Sequence, residues 1–74
     1  MAMQVDARGY SCPQPVTMTK RALDGMVEGE LAVLVDSPAA RDNVSRFAQY
    51  NGCVVSVSDE GDGSYVIRIT RKRS

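Results

Sequence analysis

One cysteine at the head of a predicted helix is the residue of this chain best suited to covalent chemistry. Cys12 precedes Pro13, Pro15 follows two positions later, and residues Val16 to Val27 have the spacing of an amphipathic helix. Proline favours the first helical turn, where its missing N–H would have had no partner. The pattern predicts a helix that begins at Pro13, with the Cys12 thiol at or just before its first residue.

The predicted helix start would favour the thiolate, the reactive form of cysteine. Unpaired backbone N–H groups and the positive end of the helix dipole stabilise an anion there. Arg8, four residues upstream, adds a positive charge. The competing interpretation is a small buried hydrophobe, the usual role of a free cysteine. Gly9, Tyr10 and the two prolines around Cys12 are typical of a loop-to-helix junction, so both interpretations stay open.

Composition excludes several classes of function. Nine basic and nine acidic residues cancel, which argues against broad nucleic-acid binding. Two cysteines and no histidine rule out a four-ligand zinc site within one chain and a Cys-His catalytic pair, and we expect no cofactor. The N-terminus lacks an apolar signal segment, and no run is long enough to span a membrane. We therefore expect a cytoplasmic protein with a reduced thiol.

The 74 residues predict one domain over 1–74, ordered from about residue 4 to 71 with a frayed 72–74 end. The predicted elements are a strand at 3–7, a helix from residue 13 to about 24, a strand at 31–35, a helix from the Ser37-Pro38 start to the Asn51-Gly52 stop, and strands at 54–58 and 65–70. Strand–helix–strand units give parallel strands, and the last two strands form a hairpin. The expected fold is an α/β (α+β) two-layer sandwich of order β-α-β-α-β-β, a four-stranded mixed sheet with two helices on one face.

This topology predicts where the chemistry lies. Cys12 follows the first strand, so it belongs to the carboxyl edge of the three parallel strands, together with Asp36, Arg41 and the turn at 61–63. Cys53 opens the third strand at the opposite edge. A helix of about 18 Å separates the two edges, whereas a disulfide needs Cα atoms within about 7 Å. We assign Cys53 a structural role.

The pattern Asp6-x-Arg8-Gly9-x-x-Cys12-Pro13-x-Pro15, followed by a helix, resembles the signature of the TusA/SirA/YedF sulfur-carrier family. The similarity extends from Val5 to about Arg71, and the segment 36–44 is most similar to the YedF-like branch, which is associated with selenium metabolism. That branch often carries a further domain, so both a stand-alone protein and an excised domain fit the resemblance.

The resemblance implies a sulfurtransferase-type carrier at the border between enzyme and carrier protein. Cys12 would accept sulfane sulfur from a donor such as a cysteine desulfurase, hold it as a persulfide and pass it to an acceptor protein. Acceptors in the family include tRNA-thiolation and molybdenum-cofactor pathways, so nucleic acid would be involved only indirectly.

The resemblance also names supporting residues: Asp6, Arg8, Gly9, Pro13, Pro15 and Arg41. The prolines would present the cysteine, or act as ordinary helix-start residues. The aspartate would pair with Arg8, cap a backbone group or serve the fold alone. The glycine would supply a backbone conformation that other residues avoid. The two arginines would form a positive rim around the thiolate, or remain solvated charges.

The alternative function is a non-catalytic regulatory module that binds a protein or RNA through Arg68, Arg71, Lys72 and Arg73. A solvated chain end is the simpler interpretation of that cluster. A carrier would lose function on Cys12→Ser with its fold intact, whereas the module would be indifferent to that change. A thiol redox protein is disfavoured because no resolving cysteine lies nearby.

Overall fold

The computed structural model describes residues 2–10, 14–26 and 28–72. Its elements are β1 (Ala2–Asp6), α1 (Gln14–Asp24), β2 (Gly29–Val35), α2 (Pro38–Tyr50), β3 (Val54–Asp59) and β4 (Tyr65–Arg71). The predicted two helices and four-stranded mixed sheet are confirmed. The amphipathic pattern in the sequence extends to Val27, whereas α1 ends at Asp24. Val27 itself lies outside the described residues. No helix in the described ranges is long and apolar enough to cross a membrane.

The sheet has the strand order β1-β2-β4-β3. β1 is parallel to β2, while β4 is antiparallel to both β2 and β3. The first three strands therefore share one direction, as expected, and their carboxyl ends lie at one edge of the sheet. The position of β4 between β2 and β3 was not predicted. It places the two strands with fully buried side chains at the centre and leaves β1 and β3 as the outer strands.

The core lies between the helices and one face of the sheet. Alternate residues of the two central strands are fully buried: Leu31, Val33, Val35, Ile67 and Ile69. Burial of each such side chain contributes about 1.5–3 kcal/mol. The helices cover this face with Leu23, Ala40, Val44 and Ala48. One shared core therefore holds both layers together.

The helical spacing predicts one apolar face made of Val16, Ala22, Leu23 and Met26, and the buried stripe of α1 differs from it. Its fully covered positions are Pro15, Thr19 and Leu23, spaced four residues apart, whereas Val16 and Ala22 are only partly buried. The Thr19 hydroxyl donates to the Pro15 carbonyl oxygen at 2.8 Å, so its polar atom enters the core with a partner. Thr19 does not belong to the predicted apolar face.

The second helix begins and ends where the sequence indicates. Ser37 is its N-cap, and the Ser37 Oγ accepts a hydrogen bond from the Ala40 N–H at 3.1 Å. At the other end, Gly52 has a φ of +79°, the left-handed conformation predicted for the Asn51-Gly52 stop. Cys53 follows and is only 7% exposed within the core, as its structural assignment requires.

Candidate functional site

Segments that follow three different strands meet at the carboxyl edge of the sheet. The Gly9 N–H donates to the Asp36 Oδ2 at 2.9 Å, which ties the loop after β1 to the end of β2. A hydrogen bond to Asp6 raises the pKa of Arg8, and the charges of Asp62 and Asp36 raise it further. Asp62 belongs to the turn between β3 and β4. The gathering of these loops at one edge, predicted from the topology, is confirmed.

Asp6 and Arg8 form a two-point ion pair at the end of β1. The Arg8 Nε and Nη2 donate to the Asp6 Oδ1 and Oδ2 at 2.9 and 2.8 Å. The Arg8 backbone N–H also donates to Oδ1, at 3.1 Å. The side-chain hydrogen bond is the main reason that the pKa of Asp6 falls from 3.8 to about 2. The pair is exposed, so it adds little stability, but its geometry fixes where the guanidinium lies.

Gly9 adopts the left-handed backbone conformation that the sequence predicted, with a φ of +84°. A Cβ added there would meet no atom within 4 Å, so the position requires glycine for its backbone and not for space. Just before it, the Ala7 N–H donates to the Leu34 carbonyl at 2.8 Å and continues the ladder beyond β1. Hydrogen bonds at Ala7 and at Gly9 therefore fix the chain around its turn. Tyr10 follows the turn and is half exposed.

Arg41 lies on the same edge, on the first turns of α2. Its guanidinium is 4.9 Å from the centre of the Tyr65 ring, a cation–π contact. Its Nε donates to the Asp42 Oδ1 at 3.0 Å, and this bond is the main cause that raises the pKa of Arg41, with a smaller contribution from the charge of Asp59. The Tyr65 ring and the Asp42 carboxylate therefore hold the Arg41 side chain in place.

The charge balance of this edge differs from the expected positive rim. Both arginines are engaged by carboxylates, which are Asp6, Asp36 and Asp62 for Arg8, and Asp42 and Asp59 for Arg41. The reason lies in the turns. Asp59 accepts the Gly61 N–H at 2.9 Å, and Asp62 accepts the N–H and hydroxyl of Ser64. Aspartates that stabilise turns bring their charge to the same edge, and the sequence prediction counted the arginines alone.

Cys12 and Pro13 lie outside the described residues, and so does Ser11. Their boundaries are described: Tyr10 on one side and Gln14, the first residue of α1, on the other. Pro15 is fully buried in the first turn of α1, and that turn contains no acidic residue. The cysteine therefore belongs to a segment bounded by an anchored loop and a packed helix start.

The basic C-terminal cluster is partly attached to the fold. The Arg71 Nη1 donates to the Leu23 carbonyl at 2.9 Å, which closes the end of α1, and the side chain is partly buried. Arg68 approaches Glu30 at 3.5 Å. Arg73 lies outside the described residues. A wholly solvated end is therefore wrong for Arg71, and its structural task removes one of the cations that the regulatory-module alternative needs.

The fold and its similarity to known proteins define the class of this protein. The crystal structure of the SirA-like protein from Desulfitobacterium hafniense superposes with a TM-score of 0.88 and 30% sequence identity, over 96% of this chain and 99% of that one. The family model described as "Sulfurtransferase TusA" matches residues 3–71. The chain belongs to this TusA/SirA-like family of sulfur carriers.

Two curated relatives agree with this assignment. A "Putative sulfur carrier protein" of Methanocaldococcus jannaschii is 39% identical over 69 residues, which is 92% of each chain. A "Putative sulfur carrier protein" of Halobacterium salinarum is 38% identical over 63 residues, 82% of this chain and 78% of that one. Membership of this family implies interaction with proteins that donate and accept sulfur.

Proposed function

We propose that Cys12 carries sulfane sulfur as a persulfide between a donor protein and an acceptor protein. The Cys12 thiolate attacks the outer sulfur of the donor's persulfide. A new S–S bond forms on Cys12 while the donor's S–S bond breaks, and the donor cysteine leaves as a thiolate. An acceptor thiolate then attacks the terminal sulfur, and the Cys12 thiolate leaves. The sulfur keeps its oxidation state throughout, so neither step needs an external oxidant or reductant.

The observation that carries this proposal is the anchored junction of a TusA-family chain around position 12. The loop before it is fixed by the Asp36 bond to the Gly9 N–H at 2.9 Å, and the helix after it begins at Gln14 with Pro15 packed in the core. A relay of this kind needs an accessible thiolate on a stable support and a surface for partners, and neither a general base nor a deep pocket.

The supporting residues would act on this support and not on sulfur itself. Asp6 holds Arg8 in place, and Arg8 offsets carboxylates that would otherwise oppose a thiolate at the same edge. Gly9 makes the turn. We assign Pro13 and Pro15 the presentation of the cysteine at the start of α1.

Arg41 would help to orient a partner at this edge. It is fixed above the Tyr65 ring.

The partners follow from the chemistry. We propose a cysteine desulfurase, or another protein persulfide, as the donor and a sulfur-accepting protein as the acceptor, in the cytoplasm where thiols stay reduced. Thiolation of tRNA and cofactor synthesis are the receiving pathways that fit. The resemblance of residues 36–44 to the YedF-like branch adds selenium as a second cargo of the same oxidation state.

The test is intact-protein mass spectrometry after incubation with a cysteine desulfurase and L-cysteine. Wild type and Cys53→Ser should each gain the mass of one sulfur atom, reversibly on reduction, and Cys12→Ser should gain none. Cys53→Ser is the matched control because Cys53 is a buried thiol in the same chain.

Inorganic polysulfide is a donor that needs no protein contact. It distinguishes a mismatched desulfurase from a Cys12 that cannot be loaded. Loading of Cys12→Ser to the same extent as wild type contradicts the proposal. So does a wild-type protein that polysulfide fails to load and whose Cys12 alkylation follows the ordinary thiol pKa of about 8.5.

A further inference from the structure

The outer edge of β3 is an unprotected pairing surface. Within the described part of the chain, β3 pairs with β4 alone, so one side of its backbone has no strand beside it. Residues Val54 to Ser58 contain no charge and no proline, and Val54 and Val57 are 54% and 44% exposed. Soluble proteins usually protect such an edge with lysine, proline or a bulge, because it otherwise accepts another strand.

The other outer strand, β1, is shorter. It has four uncharged residues before Asp6, which pairs with Arg8, whereas β3 has five before Asp59. The longer uncharged run of β3 is the better surface for an added strand. Pairing through β3 also leaves the loop after β1 uncovered, because β1 is the opposite outer strand.

We infer that β3 pairs antiparallel with β3 of a second copy of this chain, to form a continuous eight-stranded sheet. The pattern of the strand is complementary to itself. A two-fold axis at Ser56 places Val57 opposite Val55 of the second copy, and Val54 opposite Ser58. Val55 and Val57 share the face of Ile69 and Ile67, their partners in β4, so the apolar rows of the core would continue across the interface.

Charge selects the antiparallel arrangement. The first charge after Arg46 is Asp59 at the end of β3, followed by Glu60. In the two-fold pairing the two Asp59 residues lie six residues apart along the strands, about 20 Å at about 3.4 Å per residue, and that exceeds the screening length at physiological salt. A parallel pairing would place like carboxylates about 4.8 Å apart. The strand therefore suits a second copy in one orientation.

Sedimentation velocity over about 1 to 500 μM protein tests this, a range that spans the affinity expected of a single strand pair. Wild type should change from monomer to dimer. Val57→Lys places two new charges at the interface and should raise the dimer Kd about tenfold, at up to 1 kcal/mol for each cross-strand pair. Met3→Lys is the matched control: Met3 is 41% exposed on the opposite outer strand and should leave Kd unchanged.

Hydrogen exchange at both ends of the concentration range locates the contact. Amides of 54–58 should gain protection with concentration, and those of β1 should not. A wild type that stays monomeric over the whole concentration range overturns the inference. The occupant of the β3 edge would then be an extended peptide of another protein. Equal weakening by both lysine variants, or a dimer without new protection in β3, also overturns it. Lysine is a residue that natural edge strands tolerate, and thermal unfolding verifies that each variant is folded.

Discussion

Two strand-to-helix junctions lie side by side at the carboxyl edge of the sheet, and they are stabilised in different ways. β2 passes to α2 through Asp36 and Ser37 alone. Ser37 closes this turn with its own atoms: its Oγ accepts the Ala40 N–H at 3.1 Å, and its carbonyl accepts the Arg41 N–H at 3.0 Å. Both of these hydrogen bonds are local to the junction.

The junction from β1 to α1 spans residues 7–13, and its described part is fixed from outside. Asp6 holds Arg8 from the preceding strand, and Asp36 holds Gly9 from the neighbouring one. In the short turn Ser37 alone caps the helix, so the Asp36 side chain is left to bind the neighbouring loop. A long turn fixed by its neighbours is free to carry a reactive side chain. Asp36 belongs to both, since it ends one strand and anchors the other loop.

The conformation of Gly9 provides the largest test of this difference. Gly9→Ala forces a residue with a Cβ into a φ of +84° and should lower the free energy of unfolding by about 1–2 kcal/mol. Chemical denaturation measures it. The matched control is Gly25→Ala, a glycine outside the positive-φ region whose added Cβ would meet its nearest atom at an ordinary 3.7 Å. Equal losses in both variants would show that the left-handed turn is not what requires glycine.

The self-capped junction should respond in stability alone. Ser37→Ala removes the acceptor for the Ala40 N–H and should lower the free energy of unfolding by about 1 kcal/mol, while Ser37→Asp restores the cap and most of the stability. Persulfide loading of the folded protein should stay at the wild-type rate. If the loading rate were reduced at temperatures well below the unfolding temperature, this junction would also position the cysteine loop.

The two junctions also differ in how far the sequence predicted them. Ser37 and Pro38 are adjacent, and a cap is a local interaction, so the start of α2 could be predicted from two residues. The left-handed Gly9 is equally local. Its bond to Asp36 joins residues 27 positions apart, and the Asp62 charge arrives from the last turn, so topology could predict the shared edge but not the contacts.

The sequence also did not predict the hydrogen-bond acceptors of two polar side chains. The buried Thr19 hydroxyl donates a hydrogen bond to the Pro15 carbonyl, and the Arg71 guanidinium donates one to the Leu23 carbonyl. Neither acceptor is visible in a pattern of polar and apolar residues. The role of Cys12 remains a prediction, supported by family membership.

Asp36 should act as a positioning residue for the cysteine loop. Asp36→Ala removes the acceptor for the Gly9 N–H, and we expect persulfide loading to slow about fivefold through misplacement of the loop. The exposed bond contributes no more than about 1 kcal/mol to stability. Asp36→Asn keeps an acceptor oxygen and should retain most of the rate. Asp24→Ala is the control: it removes an exposed carboxylate that pairs with Lys20 at the end of α1, and should leave loading unchanged.

The pH dependence of Cys12 alkylation separates positioning from a general loss of structure. A purely structural defect would leave that profile in place while lowering the unfolding temperature. If Asp36→Asn were as slow as Asp36→Ala, the important feature of Asp36 would be the negative charge that it presents to Arg8, and not its hydrogen bond to Gly9.

The smallest expected effect is the titration of the Asp6–Arg8 pair. The pKa of Asp6 is lowered from 3.8 to about 2, chiefly by the Arg8 hydrogen bond. A lowered pKa stabilises the fold above about pH 3.8, and the contribution is lost as the pH falls through about 2. Arg8→Ala should return the pKa of Asp6 towards 3.8 in a carbon-detected NMR titration, with little change in unfolding at neutral pH.

Arg41→Ala is the control for this titration, because Arg41 pairs with Asp42 and not with Asp6. An Asp6 that titrates near 3.8 in the wild type would contradict the ion pair. The value of the pair lies in placement, since an exposed pair stabilises little while its two-point geometry fixes the guanidinium beside the turn. A loading rate that falls in Arg8→Ala without a loss of stability would therefore show that the longer junction depends on its neighbours for geometry and not for folding.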